Sequence, residues 1–345
     1  LIRDADTIKM IQSKSNTQSG AALILAMLIF TVCAALLVAT QKFYSIFYQK
    51  TANAIIREQA YEYLLGAEEL AVLALMLDAR KDSTLEQPRD DLREFWAQAT
   101  MPYTLDEGGV LFGSIEDLSG RFNLNHLAHN SIAEAGVKKF SSPQEQFIRL
   151  LQCVTSPPLS LSQAIEVTEA IGDWIDADDE PRSSGAEDMW YGGQQPPYRA
   201  ANRSMASVSE LRLVRHITPQ LYEQLLPLVT VWPRKPGLIN IHTIAQPLFR
   251  TFNGDGNLNP LSEEDARVLI TERRDVGFND VDSMLENPIF HGKTVSELKS
   301  FLGTSTKYFR FSANVELQSL EMDMYSILER SGQRVGTLSR ASIPL

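Results

Sequence analysis

Residues 172–202, GDWIDADDEPRSSGAEDMWYGGQQPPYRAAN, hold the densest chemistry in the chain. Between residues 173 and 188 stand the acids Asp173, Asp176, Asp178, Asp179, Glu180, Glu187 and Asp188, with Arg182 as the single cation. Carboxylates this crowded repel one another and destabilise a compact loop that has no counter-ion. Every donor is a hard oxygen, which suits Ca2+, a cation that takes ~6–8 oxygen ligands. Asp176, Asp178, Glu180 and Glu187 fall at positions 1, 3, 5 and 12 of a calcium-loop frame. Pro181 stands where that frame needs its turning glycine, so the loop is not an EF-hand. Two readings follow, a solvated acidic loop or an irregular calcium site. Trp174, Trp190 and Tyr191 flank the acids and are placed to anchor the loop on a core.

Other constellations are weaker. Asp255-Gly256-Asn257-Leu258-Asn259 resembles a calcium loop but lacks Gly at its sixth place and Glu at its twelfth. His126 and His129 form an HxxH pair beside an expected helix start, yet zinc needs a further ligand and usually a glutamate base. No GxSxG, P-loop or HExxH motif occurs, so the expectation is that the chain is not an enzyme. A membrane-tethered, metal-dependent hydrolase is the enzymatic alternative. Two segments echo each other, FNLNHLAH at Phe122 and INIHTIAQ at Ile239. Asn123, Asn125 and Asn240 in them read as helix caps or turn residues. The second copy also resembles a helix-hairpin-helix module. The loop that follows it is acidic, however, and the whole chain carries a net charge of −11. Nucleic acid, which needs Lys and Arg against its phosphates, is therefore a poor fit and is not expected as a partner.

These groups must be positioned by 345 residues, enough for about two domains and an anchor. Cys33 lies in an apolar run and Cys153 far from it, so no internal disulfide is expected. Residues 15–41 carry no charge, long enough for the ~20 helical residues that cross a bilayer. A secretory signal would have a shorter apolar core followed by a small-residue cleavage site, whereas here Ser19-Gly20 precedes the run. The start is read as Leu1 or Met10, and a start at Met10 makes residues 10–20 a short leader with Lys14 as its charge. Helix-forming residues continue from Phe43 to about Ala79 without a proline. Ile55, Ile56, Ala60, Leu64, Ala67, Leu70 and Ala74 read as one apolar stripe on a continuous helix. The competing reading is a plain single-span anchor followed by an unrelated helix. Pro88 and Pro102 bracket an expected short helix over 90–99. Tyr103-Thr104-Leu105, the Gly108-Gly109 turn and Val110, Phe112, Ser114 and Ile115 predict a hairpin. Alternation from Tyr308 to Ser342, with a turn at Ser331-Gly332, predicts more strands. About 190 residues of helical pattern separate the two strand groups, so the economical fold is one small sheet with a helical domain inserted between its strands.

Gly20 before an apolar helix resembles a type IV prepilin leader, cut by prepilin peptidase after the glycine. Most members of that class carry Glu at the fifth mature position. With Ala21 as the first residue, the fifth here is Leu25, and Glu58 is the sole acid between Ala21 and Ala60. That absence, together with GRFNLN after a strand and the WID…GAED segment, resembles the minor pseudopilin GspK family of the type II secretion system (general secretion pathway protein K). The resemblance implies an α+β, type IV pilin-like fold, a long N-terminal transmembrane helix on a small antiparallel sheet with a large all-α domain inserted between strands. It divides the chain into a leader (1–20), a transmembrane helix (21–41), helix continuation and first strands (42–122), an inserted domain with SAM- and helix-hairpin-helix-like segments (123–305) and C-terminal strands (306–345). It implies processing at Gly20 and Ala21, methylation of the new N-terminus, and a structural Ca2+ on Asp178, Glu187 and Asp188, with Asp173 and Asp176 next. It implies an inner-membrane, single-pass protein with its C-terminal domain in the periplasm, acting in export of folded proteins. The partners implied are prepilin peptidase and the I- and J-type minor pseudopilins, in a hetero-oligomer bound along helix 43–79. Leu25, Ile55, Leu64 and Leu70 are the residues expected on the partner-binding helix. The contrasting reading is an adhesive or DNA-capturing tip subunit of a type IV pilus, which a basic insertion would favour.

Co-expression with a prepilin peptidase should yield a membrane-extracted chain whose intact mass begins at Ala21, with one added methyl. A mass that still includes Ser19-Gly20 and the leader would leave an ordinary single-span anchor.

Overall fold

A computed structural model describes residues 19–84, 88–98, 101–106, 108–128, 139–155 and 157–343. Most of the leader and His129 lie outside the described residues. The chain forms two compact units, one up to Gln59 and one from Ala60 onward. Helix α1 (Ser19–Asp82) has residues in both. Within residues 20–50 every side chain but Ala34 is exposed. Among the described residues, α1 is the one helix long and apolar enough to cross a membrane.

From Ala60 onward α1 packs on a sheet, and the buried line is Ala60, Leu64, Glu68, Ala71, Leu75, Ala79 and Asp82. The spacing is three and four residues, as a helix face requires. The expected stripe is corrected in two respects. Leu70 is 67% exposed and Ile55 63% exposed, so neither faces this core. Glu68 takes an inside position because polar groups of the sheet await it. Ser326 Oγ donates to its Oε2. Thr337 Oγ1 donates to Oε1 at 2.7 Å, and Arg340 Nη2 at 2.8 Å. Burial pushes the Glu68 carboxyl up, but these bonds and the Arg340 charge outweigh it and hold the pKa below the usual glutamate value.

The sheet consists of β1 (Tyr103–Thr104), β2 (Gly109–Asp117), β7 (Tyr308–Leu317), β8 (Leu320–Ser331) and β9 (Arg334–Ala341), in that order and antiparallel throughout. Strict alternation on β7 buries Phe309, Phe311, Ala313, Val315 and Leu317 on one face. The chain departs from the sheet after Asp117 and rejoins it at Tyr308, beside the strand it left. These bounds differ from the 122 and 306 expected from sequence, because Phe122-Asn123 pairs within the insertion and not with the sheet. The short helix expected over 90–99 is a single 3-10 turn, Phe95–Ala97. The neighbouring side chains compete for the backbone: Asp91 accepts the Arg93 N–H and Glu94 the Asp91 N–H.

The insertion has two parts, each closed by a two-residue parallel ladder. In the first, β3 (Phe122–Asn123) leads through α2 (Ser142–Val154), α3 (Leu161–Ile175), α4 (Asp188–Tyr191) and α5 (Pro219–Leu225) back to β4 (Val229–Thr230). In the second, β5 (Ile239–Asn240) leads through α6 (Gln246–Phe249), α7 (Glu263–Asp275), α8 (Val281–Leu285) and α9 (Ser296–Ser300) to β6 (Leu302–Gly303). The sequence echo marks these openings. Asn123 accepts the N–H of Asn125 and Asn240 that of His242, the same turn in both places. A continuous core of Phe122, Phe147, Ile171, Val229, Phe249 and Leu269 joins the parts.

Leu64→Ala should cost about 2–4 kcal/mol, since it opens a cavity in the helix–sheet core. Leu70→Ala should stay within about 0.5 kcal/mol of the parent. Urea denaturation in detergent measures both, and equal effects would contradict the assigned face.

Candidate metal centre and assembly face

Helix α3 starts at a capping box in which Ser160 accepts the Gln163 N–H and Gln163 returns the bond to the Ser160 backbone. Its apolar face buries Ala164, Val167, Ala170, Ile171, Trp174 and Ile175. Asp176 ends the helix as its C-cap, and Glu187 is the N-cap of α4. The acidic loop therefore runs from one helix end to another helix start. Trp174 and Tyr191 clamp the two ends, with ring centres 5.1 Å apart and nearly perpendicular. Gly185 is required by close approach, because a Cβ there would collide with the Asp173 carboxylate.

The structure brings together Asp176, Asp178 and Glu187, whose carboxylate oxygens lie within 4.8 Å of one another. Asp176 is 5% and Glu187 4% exposed, while Asp178 is on the surface. Asp176 Oδ1 and both Glu187 oxygens are buried with no hydrogen-bond partner. A buried carboxylate left bare is costly, and three such oxygens in one place have the chemistry to receive a cation. Burial and the charges of Asp173, Asp176, Asp178 and Asp179 push Glu187 up to about 8, and burial first pushes Asp176 up to about 6. The donor set fits Ca2+: it is all oxygen, and its spacing suits ligands ~2.3–2.6 Å from a shared ion.

Two expected ligands are placed differently. Asp173 is fully buried but binds the Arg182 guanidinium and accepts the Arg182 N–H. Asp188 Oδ1 accepts the Ala200 N–H at 2.9 Å. Both thus fasten the protein frame around the cluster. Arg182 also reaches Asp176 Oδ2 at 2.7 Å, which leaves Oδ1 as the open oxygen of that residue. Asn202 was not singled out by sequence. Its Nδ2 donates to Asp179 Oδ1 at 2.9 Å and its Oδ1 is another buried oxygen without a partner. An asparagine ending an acidic stretch carries no signal of that kind by itself.

The second candidate loop already holds a cation, and it is an arginine. Arg149, 1% exposed, donates to the carbonyls of Asn257, Thr251 and Gly254. Asp255 caps α9 by accepting the N–H groups of Glu297 and Leu298. Its oxygens are therefore committed to the fold. His126 Nε2 lies 3.1 Å from the Gly237 carbonyl, and burial pushes its pKa below the usual histidine value. Among the described residues it belongs to no metal cluster. Both cysteines are free.

Helix α1 presents the other candidate surface. Leu70, Leu73 and Leu77 are 67%, 50% and 54% exposed, an apolar edge at helical spacing. Leu64, expected in this set, is fully buried in the chain's own core, so it is not available to a partner. Leu25 and Ile55 are exposed.

Comparison with known proteins gives these features a setting. Residues 120–234 match the family model of type II secretion system (T2SS) protein K. The chain is 30% identical to the type II secretion system protein K of Klebsiella pneumoniae over 331 residues, covering 94% of this chain and 97% of that one. It is 33% identical to the protein of the same description from Pseudomonas aeruginosa over 321 residues, covering 91% and 89%. Its fold is similar to a chain in the crystal structure of the GspK–GspI–GspJ complex from enterotoxigenic Escherichia coli. The TM-score is 0.72, with 26% identity, covering 86% of this chain and all of that one.

With chelator present, Glu187 keeps its proton in the folded chain up to about pH 8, against 4.5 for the ordinary group. The folded state then binds the proton more tightly than the unfolded state, so stability falls as pH rises between those values. In EDTA the melting temperature should drop from about pH 4.5 to about pH 8, and Glu187→Gln should flatten the drop. Identical pH profiles for the two chains would refute the assignment.

Proposed function

Because the chain belongs to the type II secretion system protein K family and is a minor pseudopilin of that system, we propose that it occupies the tip of the pseudopilus, where it caps or initiates the fibre with other minor pseudopilins for export of folded proteins. The observation that carries this reading is the apolar segment without an acid. Leu25 stands at the fifth mature position, and Glu58 is the first acid after Ala21. In a pilus the buried Glu of an incoming subunit neutralises the terminal amine of a neighbour already in place. A subunit with no neighbour above it has no such amine to meet, and losing the acid removes a costly buried charge. The large insertion between β2 and β7 fits the same position, since its bulk obstructs another subunit from packing above.

In this reading prepilin peptidase cuts after Gly20 and the new terminus is Ala21. Residues 21–41 span the inner membrane once, and the sheet and insertion lie in the periplasm. The solved relative assembles with GspI and GspJ. We assign the corresponding I- and J-type pseudopilins as partners here, packed along the Leu70, Leu73 and Leu77 edge of α1 as in a helical bundle. Asp176, Asp178 and Glu187 would hold a structural Ca2+. Bound there, the ion ties the end of α3 to the start of α4 and offsets the loop's negative charge. The family is a structural component of secretion machinery, and we read this chain likewise as a non-enzyme. The net charge of −11 disfavours the DNA-capturing alternative.

Replacing Leu70, Leu73 and Leu77 together by Arg should leave the melting temperature within a few degrees of the parent. Co-purification with the I- and J-type pseudopilins should fall at least tenfold, and secretion with it. Full retention of both partners would remove this face from the assembly.

A further inference from the structure

A second acid cluster joins three parts of the chain that the acidic loop does not touch. Asp78 and Asp82 are one turn apart near the end of α1. Asp90 and Glu94 belong to the segment that follows it, and Arg330 projects from the end of β8. Arg330 Nη1 donates to Asp78 Oδ2 at 2.9 Å, and Nη2 to the two Asp90 oxygens at 2.5 and 2.6 Å. Asp90 Oδ2 also accepts the Thr306 N–H, and Glu94 Oε2 accepts the Trp96 indole N–H at 2.8 Å. Oxygens of Asp78, Asp90 and Glu94 lie within 4.8 Å of one another. Asp82 is 8% exposed, and its Oδ1 is buried with no partner. Asp82 stands one helical turn beyond Asp78, and the charges of Asp78, Asp90, Arg330 and Lys81 bear on it.

We propose that Asp78, Asp82, Asp90 and Glu94 form a divalent-cation site of calcium type, which binds beside Arg330 and fastens the end of helix α1 to the sheet and to residues 88–98. The charge balance argues for it. With all four acids ionised, Arg330 leaves the group strongly negative, and a divalent ion brings it close to neutrality. The floor is apolar. Phe309 lies under the Arg330 guanidinium at 4.9 Å, and Trp96 packs edge-on against Phe309 at 5.1 Å. Repulsion is strong in such a setting. Burial, together with the neighbouring acids, pushes Asp82 up to about 6 and Glu94 up to about 7. Asp78 Oδ2 and Asp90 Oδ1 each accept one bond from Arg330 and keep a second lone pair to offer, whereas Asp90 Oδ2 is filled by Arg330 and Thr306. Among the described residues the cluster holds no His or Cys ligand, which selects a hard cation over zinc. The site shares no residue with Asp176, Asp178 and Glu187 and does not depend on the tip assignment.

The test uses the full chain in detergent, stripped with chelator, dialysed against calcium chloride and assayed for bound calcium per chain. The double variant Asp82→Asn with Glu94→Gln should bind one calcium fewer than the parent, and Asp178→Asn should keep the ion that the double variant loses. Without calcium the double variant should also melt above the parent, because repulsion has been relieved without loss of shape. A double variant that binds as much calcium as the parent overturns the proposal, whatever Asp178→Asn does. Should the double variant fail to fold, Asp82→Asn alone serves, and its unchanged calcium content and affinity would overturn the proposal equally.

Discussion

The whole arrangement depends on a buried polar junction at the place where the insertion leaves the sheet and returns to it. Asp117, the last residue of β2, is fully buried and accepts bonds from Ser119 N–H, Asn240 Nδ2 and Thr243 Oγ1 at 2.6–2.9 Å. Asn240 Nδ2 also donates to the Asp90 carbonyl, and Asp90 binds Arg330 and the Thr306 N–H. One connected network therefore joins the outgoing strand, the second half of the insertion, the segment after α1 and the returning strand. Gly120 permits the close crossing, since a Cβ there would meet Thr243 at 2.8–3.1 Å. Removing one partner from a buried charged network of this kind costs about 3–5 kcal/mol, because the remaining charge is stranded. A domain of some 190 residues hung between neighbouring strands needs such a joint, or it would swing freely.

The same logic of satisfied buried charge determines which side of α1 is inside. Glu68 faces the sheet because Ser326, Thr337 and Arg340 receive it there. That choice turns Leu70, Leu73 and Leu77 outward. A helix edge of exposed leucines is unfavourable in a lone molecule and useful in a protein that assembles. Membership of the protein K family gives that edge a purpose. The three unpartnered oxygens of the acidic loop are a parallel case, a local cost that a bound cation would offset.

Much of this was legible in the residues. The apolar run, the absence of an acid at Leu25, the strand alternation from Tyr308 onward and the echo of FNLN with INIH each depend on neighbours in sequence. Local periodicity and local turns suffice to reveal them. The density of acids between Asp173 and Asp188 was likewise plain, and with it the expectation of a hard cation.

What the sequence could not decide was which acids share a point in space. Asp173, Asp176 and Asp188 look equivalent as letters. Arg182 takes Asp173, the Ala200 backbone takes Asp188, and Asp176 is left with an open oxygen beside Glu187 and Asp178. Nor could it place Glu68 inside, reserve Leu64 for the chain's own core, or fill the loop at 255–259 with Arg149. In each case the partner comes from a distant part of the chain. The energy of a buried charge depends on that partner, and only the tertiary structure supplies it.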